Sequence, residues 1–283
     1  MRWLAGAIFL ITSSAIYAAE PPQRFIVDRG SVHIEVLAQG KGPVVLILPS
    51  RGRGAEDYDQ VAPLIAARGF RVLRPQPRGI GKSTGPLANL TLHDYAGDVA
   101  AVIEHESKVP VVVVGHAFGN YVARVLATDR PELVKAVVLA AASPGKAPKG
   151  ADPIAPEIRE AIDKSGELGL PEAERLKYIQ LAFFAPGHDA RVWLNGWYPD
   201  AMKSQAAATT ATPVQGWFAC GKAPILDLQA ENDTVAPRQL AGILKAELGN
   251  RVTVKVIAHA GHALAPEQPK AMADAIIQYL TSL

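Results

Sequence analysis

Residues 110–121 read Pro-Val-Val-Val-Val-Gly-His-Ala-Phe-Gly-Asn-Tyr. A short apolar run, two glycines four positions apart and then an amphipathic stretch describe a strand that feeds a helix through a sharp turn. The flanking Gly115 and Gly119 keep that turn clear of neighbouring atoms. The middle residue, Ala117, is expected at the tip, where an attacking serine oxygen normally sits. Alanine offers neither a lone pair nor a proton there. Tip residues of such turns usually hold positive φ, a cost of about 1–3 kcal/mol for alanine, and the packing of this turn is expected to enforce it.

Strand-like and helical runs alternate on both sides of the turn. From Arg24 to Val36 two β-type runs flank Asp28-Arg29-Gly30, a hairpin signal. Pro43–Leu48 is continuously apolar, as in a strand buried on both faces. Asp57–Arg68 has helical spacing, with Val61, Leu64 and Ile65 on one side and Gly69 as the stop. Phe70–Leu73 predicts a strand, and Thr91-Leu-His-Asp94 resembles a capping box opening a helix that runs to about His105. Strands are further predicted at Val111–Val114, Lys135–Ala140, Ala223–Leu228 and Val252–Ile257, and helices at Tyr121–Ala127, Arg238–Leu248 and Pro266–Leu280. This rhythm predicts an α/β fold with a doubly wound, mostly parallel sheet. It breaks between about Ser143 and Gly221, where helical pieces near Pro156–Lys164 and Pro171–Phe184 precede an irregular, aromatic-rich part. The division expected is a core at 20–142 and 222–283, with a helical cap inserted at 143–221 over the sheet edge where open α/β sheets bind ligands.

Residues 1–19 differ in kind. Met1-Arg2, a short apolar stretch from Trp3 to Ile11 and a small-residue end at Ala18-Ala19 match a secretory signal peptide. An exported protein, periplasmic or secreted, is the expectation, with an uncleaved N-terminal membrane anchor as the alternative. The lone cysteine, Cys220, excludes an intramolecular disulfide. A formal net charge of +2 with scattered basic residues argues against nucleic-acid binding and against electrostatic capture by membranes.

Five motifs in order resemble the α/β-hydrolase superfamily across nearly all of the chain after the leader. Leu46-Ile-Leu-Pro-Ser-Arg51 sits where members usually carry a His-Gly loop. Arg74-Pro-Gln-Pro-Arg-Gly-Ile-Gly-Lys-Ser83 is similar to the family's Asp-x-Arg-Gly-x-Gly-x-Ser stretch, with Gln76 for the usual Asp. Gly115–Gly119 is the elbow, Glu231–Pro237 resembles the acid loop, and His259-Ala-Gly-His262 with Glu267-Gln-Pro269 resembles the histidine loop. The resemblance implies Asp233 as the catalytic acid and His262 as the base, with His259 as its rival. It also implies an oxyanion hole from the backbone N–H groups of Phe118 and Arg51, and Ala117 as an inert residue at the nucleophile position. The Arg51 side chain either binds an anionic substrate group or points into solvent, and Ser50 sits on the wrong loop to replace the missing serine. His116 is read as a packing residue beside the elbow.

Apart from Trp3, every tryptophan falls in the 143–221 insertion. Trp193, Trp197 and Trp217 are candidates for substrate binding, although most aromatics of a small cap are expected to form its own core. No metal site and no cofactor are expected, and the expected partner is a small molecule. Three functions stay open: an enzyme acting on a small apolar or aromatic ester or carbonyl compound through an Asp233/His262 general-base pair without a covalent intermediate, a non-catalytic ligand-binding protein, and a serine esterase whose serine has been replaced by Ala117.

Overall fold

The computed structural model describes residues 21–148 and 154–283, so the leader-like segment lies outside the described residues. Among those described, eight strands form one sheet in the order β1-β2-β4-β3-β5-β6-β7-β8. β1 (Gln23–Arg29) and β2 (Val32–Gln39) make the predicted antiparallel hairpin. β2 also runs antiparallel to β4 (Arg71–Pro75). All other neighbours are parallel: β3 (Val44–Leu48) lies between β4 and β5 (Val111–His116), followed by β6 (Val134–Ala140), β7 (Ile225–Ala230) and β8 (Val252–Ile257).

From β3 the chain steps to β4 on one side, then returns to β5 on the other. This reversal opens a crevice beyond the carboxyl ends of β3 and β5, the usual ligand site of open α/β sheets. Both strands are buried on two faces, and their alternate residues feed two separate cores. Leu46, Leu48, Val111 and Val113 pack on one side with α2 (Leu92–Glu106) and α3 (Phe118–Asp129). Val45, Ile47, Val112 and Val114 pack on the other with α1 (Ala62–Ala66) and, further along the chain, Met272, Ala273 and Ile276 of the C-terminal helix. The capping signal at Thr91 is realised, because the Asp94 carboxylate accepts the Thr91 N–H at 2.9 Å.

Two helical expectations need correction. Asp57–Arg68 is not one helix: a 3₁₀ turn at Ala55–Tyr58 precedes the five-residue α1. Pro63 falls at the start of α1, where its missing N–H does no harm, and an uninterrupted helix through it would lose a hydrogen bond. Val61 and Ile65 are buried as expected, but Leu64 is exposed. The second correction lies in the insertion between β6 and β7. After α4 (Pro156–Ser165) and α5 (Glu172–Phe183), the part expected to be irregular contains α6 (Pro199–Ala211). Its Ala- and Thr-rich sequence carries almost no apolar period, so only Pro199 at its first turn and the alanine content signalled a helix.

The last quarter of the chain completes the core. A 3₁₀ turn at Arg238–Leu240 and α7 (Gly242–Leu248) take the place of the single helix predicted at Arg238–Leu248. α8 (Leu264–Glu267) and α9 (Pro269–Ser282) replace the one predicted at Pro266–Leu280. No helix among the described residues is long and apolar enough to cross a membrane.

Ile47 has no exposed surface and sits in the middle of the sheet against α1 and α9. Ile47→Ala is expected to lower the unfolding free energy by about 2–5 kcal/mol, measured by urea denaturation, because the sheet centre cannot collapse around the missing atoms.

Candidate active site

The turn after β5 is as tight as its glycines suggest. A methyl group at Gly115 would run into the Gly119 carbonyl, and one at Gly119 into the Leu48 carbonyl. Freed of those atoms, the first turn of α3 rests directly on β3, and the Gly119 N–H donates to the Pro49 carbonyl at 3.1 Å. Ala117, at the junction, has φ 47° and ψ −110°, a conformation that L-residues rarely adopt. Its N–H donates to Ala140 O at 3.0 Å, which pins the tip to the end of β6. Phe118 is the first residue of α3, so its N–H has no intrahelical acceptor.

Three further loops meet this turn. Asp233, on the loop after β7, and His262, on the loop after β8, are buried together. The imidazole Nδ1–H donates to the Asp233 carboxylate, with N–O distances of 2.9 and 3.0 Å. The same carboxylate accepts the backbone N–H groups of Val235 and Ala236 at 2.8 and 2.7 Å, so it is held in place by its own loop. With Nδ1 committed as a donor, Nε2 is the ring's basic atom. His259 does not compete for this position: its φ is 53° and its N–H donates to Glu231 instead.

The third loop, Pro49–Arg53, is welded to the cap. Gly52, at φ 68°, donates its N–H to Gln205 Oε1 of α6 at 2.7 Å and accepts the Tyr198 N–H at 3.0 Å. Buried Arg53 grips Asp57 through two nitrogens, donates to Asn195 O at 2.7 Å and lies 4.6 and 4.8 Å from the ring centres of Trp193 and Trp197. On the far side, the cap is stapled to the histidine loop. Ala263 N–H donates to Phe183 O, and the buried Glu267 carboxylate accepts both Ala185 N–H and Gly261 N–H at 2.6 and 2.7 Å.

Between core and cap lies a cavity of about 410 Å³. Ala117, Phe118, His262, Ser50 and Arg51 line its floor side, and Phe183, Trp197, Met202 and Thr209 are among the cap residues that roof it. Thus Ala117, His262 and the two residues expected to supply oxyanion N–H groups share one chamber. Of the three tryptophans singled out from the sequence, only Trp197 lines it. Trp193 is fully buried in the cap core beside Phe183 and Phe184. Trp217 packs on Tyr121 and on the Arg124 guanidinium, on the far side of α3. Both are used as large apolar filler, the role the bland reading of cap aromatics assigned them.

One feature escaped the sequence reading. His116, immediately before the tip, is not mere packing: it bridges Tyr58 and the histidine loop. The hydroxyl-bearing Tyr58, just beyond the Pro49–Arg53 loop, is fully buried. That hydroxyl lies 2.7 Å from His116 Nδ1, and His116 Nε2 lies 2.7 Å from the His262 carbonyl. A carbonyl can only accept, so Nε2 carries the hydrogen and Nδ1 takes the one from Tyr58. Burial, reinforced by the neighbouring His262, depresses the His116 pKa to about 3, so this ring stays neutral. A histidine on a strand buried on both faces must find partners for both nitrogens, and that was the available signal.

The chain matches the sequence profile of the alpha/beta hydrolase fold family over residues 43–269, and it belongs to that family. A protein provisionally named carbamate hydrolase RutD, from Variovorax paradoxus (strain S110), is 27% identical over 241 residues, covering 82% of this chain and 89% of its own. The bifunctional esterase/perhydrolase DCH of Acinetobacter calcoaceticus is 28% identical over 225 residues, 73% of this chain and 80% of its own. Among solved structures, a bromoperoxidase from Bacillus anthracis superposes with a TM-score of 0.74 at 20% identity, covering 92% of this chain and 99% of the other. At that identity the likeness concerns the fold.

Two outcomes are expected here. Ala117→Gly relieves the positive φ and should stabilise the protein by about 1 kcal/mol in thermal or urea unfolding. The neutral His116 ring gives a pH signature. Its folded pKa, about 3, lies below the ordinary 6.5, so the unfolded chain binds more protons between these values. This stabilising contribution is complete above 6.5 and is lost as pH falls toward 3, by a total on the order of 5 kcal/mol. Glutamine keeps one donor and one acceptor without titrating, so His116→Gln should flatten the fall of the denaturation midpoint across that window.

Proposed function

We propose that this protein is a hydrolase-fold enzyme that works by general-base catalysis without a covalent acyl intermediate. Asp233 orients His262 and stabilises its protonated form, and His262 Nε2 removes a proton from water or from the substrate itself. The backbone N–H groups of Phe118 and Arg51 hold the negative charge that develops on a carbonyl oxygen. In the hydrolytic case, water bound near Ala117 attacks a small ester or related carbonyl compound as His262 takes its proton. The tetrahedral intermediate collapses when the imidazolium returns that proton to the leaving group. The substrate body is apolar or aromatic, in keeping with Phe183, Trp197 and Met202 on the cavity wall.

The observation that carries this reading is the hydrogen-bonded Asp233–His262 pair, whose imidazole borders the same cavity as a tip residue with no reactive atom. The strain at Ala117 adds weight. Ala141, with φ 45°, is a second strained residue on that cavity wall, and such backbone cost clusters at functional sites. The relatives named as hydrolase and esterase act on their own compounds through proteins of this family, which favours a carbonyl-type substrate here. We also read residues 1–19 as an export signal, which places the working protein outside the cytoplasm.

A screen of small esters and carbonyl compounds against the protein tests the proposal. Turnover of a hit should fall by about 10²–10⁴-fold in His262→Ala, the usual worth of a positioned base. A fluorophosphonate probe should leave the protein unlabelled. Undiminished turnover in His262→Ala, or covalent labelling of Ser50, overturns it. Tight retention of a ligand without turnover in either protein would favour a binding role instead.

A further inference from the structure

The cavity wall carries an ion pair. Arg51 Nη2 lies 3.0 Å from Asp163 Oδ1, joining the loop after β3 to α4 of the cap. The two ends of this pair are unlike. Arg51 grows from a loop anchored through Gly52 to α6, as described above, and its side chain is three-quarters covered. The Asp163 side chain is 72% exposed. A carboxylate so open to water contributes little to stability, and exchanging it costs little. The contact also uses one guanidinium nitrogen and one oxygen, whereas arginine's planar fork is built to take a carboxylate through two parallel hydrogen bonds.

Position adds a second, independent observation. A second chamber of about 600 Å³ lies outside the first, between α6 and the turn that follows α4. Arg51, Asp163, Met202 and Ala206 line both chambers, so the ion pair stands in the partition between them. Lys203 lines the outer chamber, and Arg159, on the same helix as Asp163, lines the inner one. The acidic Glu167 of the outer chamber is tied to Lys164 at 3.0 Å. A negatively charged compound arriving from outside therefore meets Lys203 first and Arg51 next.

We propose that Arg51 is a carboxylate-binding residue and that Asp163 is its built-in stand-in. A substrate bearing a carboxylate displaces Asp163, takes the Arg51 guanidinium through both oxygens and places its apolar body in the inner chamber beside Phe183 and Trp197. The side chain that selects the anion thus belongs to the residue whose backbone N–H faces the reacting carbonyl, which fixes the distance between the two ends of the substrate. No covalent step is involved: one ion pair is exchanged for another. The inference rests on the reading above that the inner chamber is the substrate site, but not on what His262 does there.

The test compares two probes of the same shape, phenylpropanoate and phenylpropanamide, by calorimetry and tryptophan fluorescence on the full chain. The acid should bind about tenfold or more tightly than the amide, the usual worth of a charge-assisted hydrogen bond. Arg51→Gln should erase this difference by weakening the acid alone, with the unchanged amide affinity showing that the variant is folded. Asp163→Asn should tighten the acid severalfold and leave the amide as it was, because the internal competitor is gone. Equal affinities for the two probes, absence of acid binding, or weaker acid binding in Asp163→Asn overturns the proposal. His262→Ala should preserve the acid preference, so a failure of the base mechanism and a failure of the carboxylate subsite give different results.

Discussion

The close approach of α3 to β3, with no side chain between them, is the constraint on which the site depends. Gly119 tolerates the Leu48 carbonyl only because it has no Cβ, and Gly115 makes room for the backbone of the turn in the same way. That contact forces the chain at Ala117 into a left-handed turn and aims the start of α3 at the crevice left by the reversal of strand order. Everything else in the site is arranged around this fixed tip. The Pro49 carbonyl is tied to it, the end of β6 is tied to it, and the histidine loop reaches it through His116.

The cap is integrated into this arrangement rather than laid over it. Arg53, lying against two indoles and bound to Asp57, fastens the loop after β3 to the cap's aromatic core. Glu267 and Ala263 fasten the other rim to the end of α5. A buried arginine with a bidentate acid partner and satisfied donors is a costly group to strand, so removing either partner is far worse than the pair itself is stabilising. The consequence is geometric. The loop expected to supply Arg51 N–H and the loop that carries His262 are both anchored to the same small cap.

The buried Tyr58–His116 bridge has a related effect on His262, the proposed base. Neither residue lines the cavity, yet the bridge holds the backbone carbonyl of His262 and packs on its ring while Asp233 holds Nδ1. An imidazole held at both its main chain and its Nδ1 has little freedom left, which is the condition for general-base work from one nitrogen. His116 is confined to the neutral form by burial and is thereby excluded as a competing base.

Much of this was legible in the residues themselves. The alternation of strand and helix, the glycine-flanked turn and the capping signal at Thr91 follow from local pattern, because backbone sterics and side-chain periodicity act over a few residues, whereas the Asp233–His262 pair was implied by the family resemblance of the motifs. α6 was invisible because its stability comes from tertiary anchors: Gln205 on Gly52 and Ser204 on Leu87 hold a helix that has no apolar stripe of its own. The division of the tryptophans was undecidable for the same reason. Trp193, Trp197 and Trp217 are equally apolar, and only the placement of Arg53, Arg124 and α3 determines which one faces a void. Sequence by itself determined the class of fold and the absence of a reactive atom at position 117, and its family resemblance pointed to the polar pair. Tertiary structure alone decided what meets around the site, since the contacts Tyr58–His116, Arg51–Asp163 and Glu267–Ala185 join residues far apart in the chain, where no local periodicity carries information.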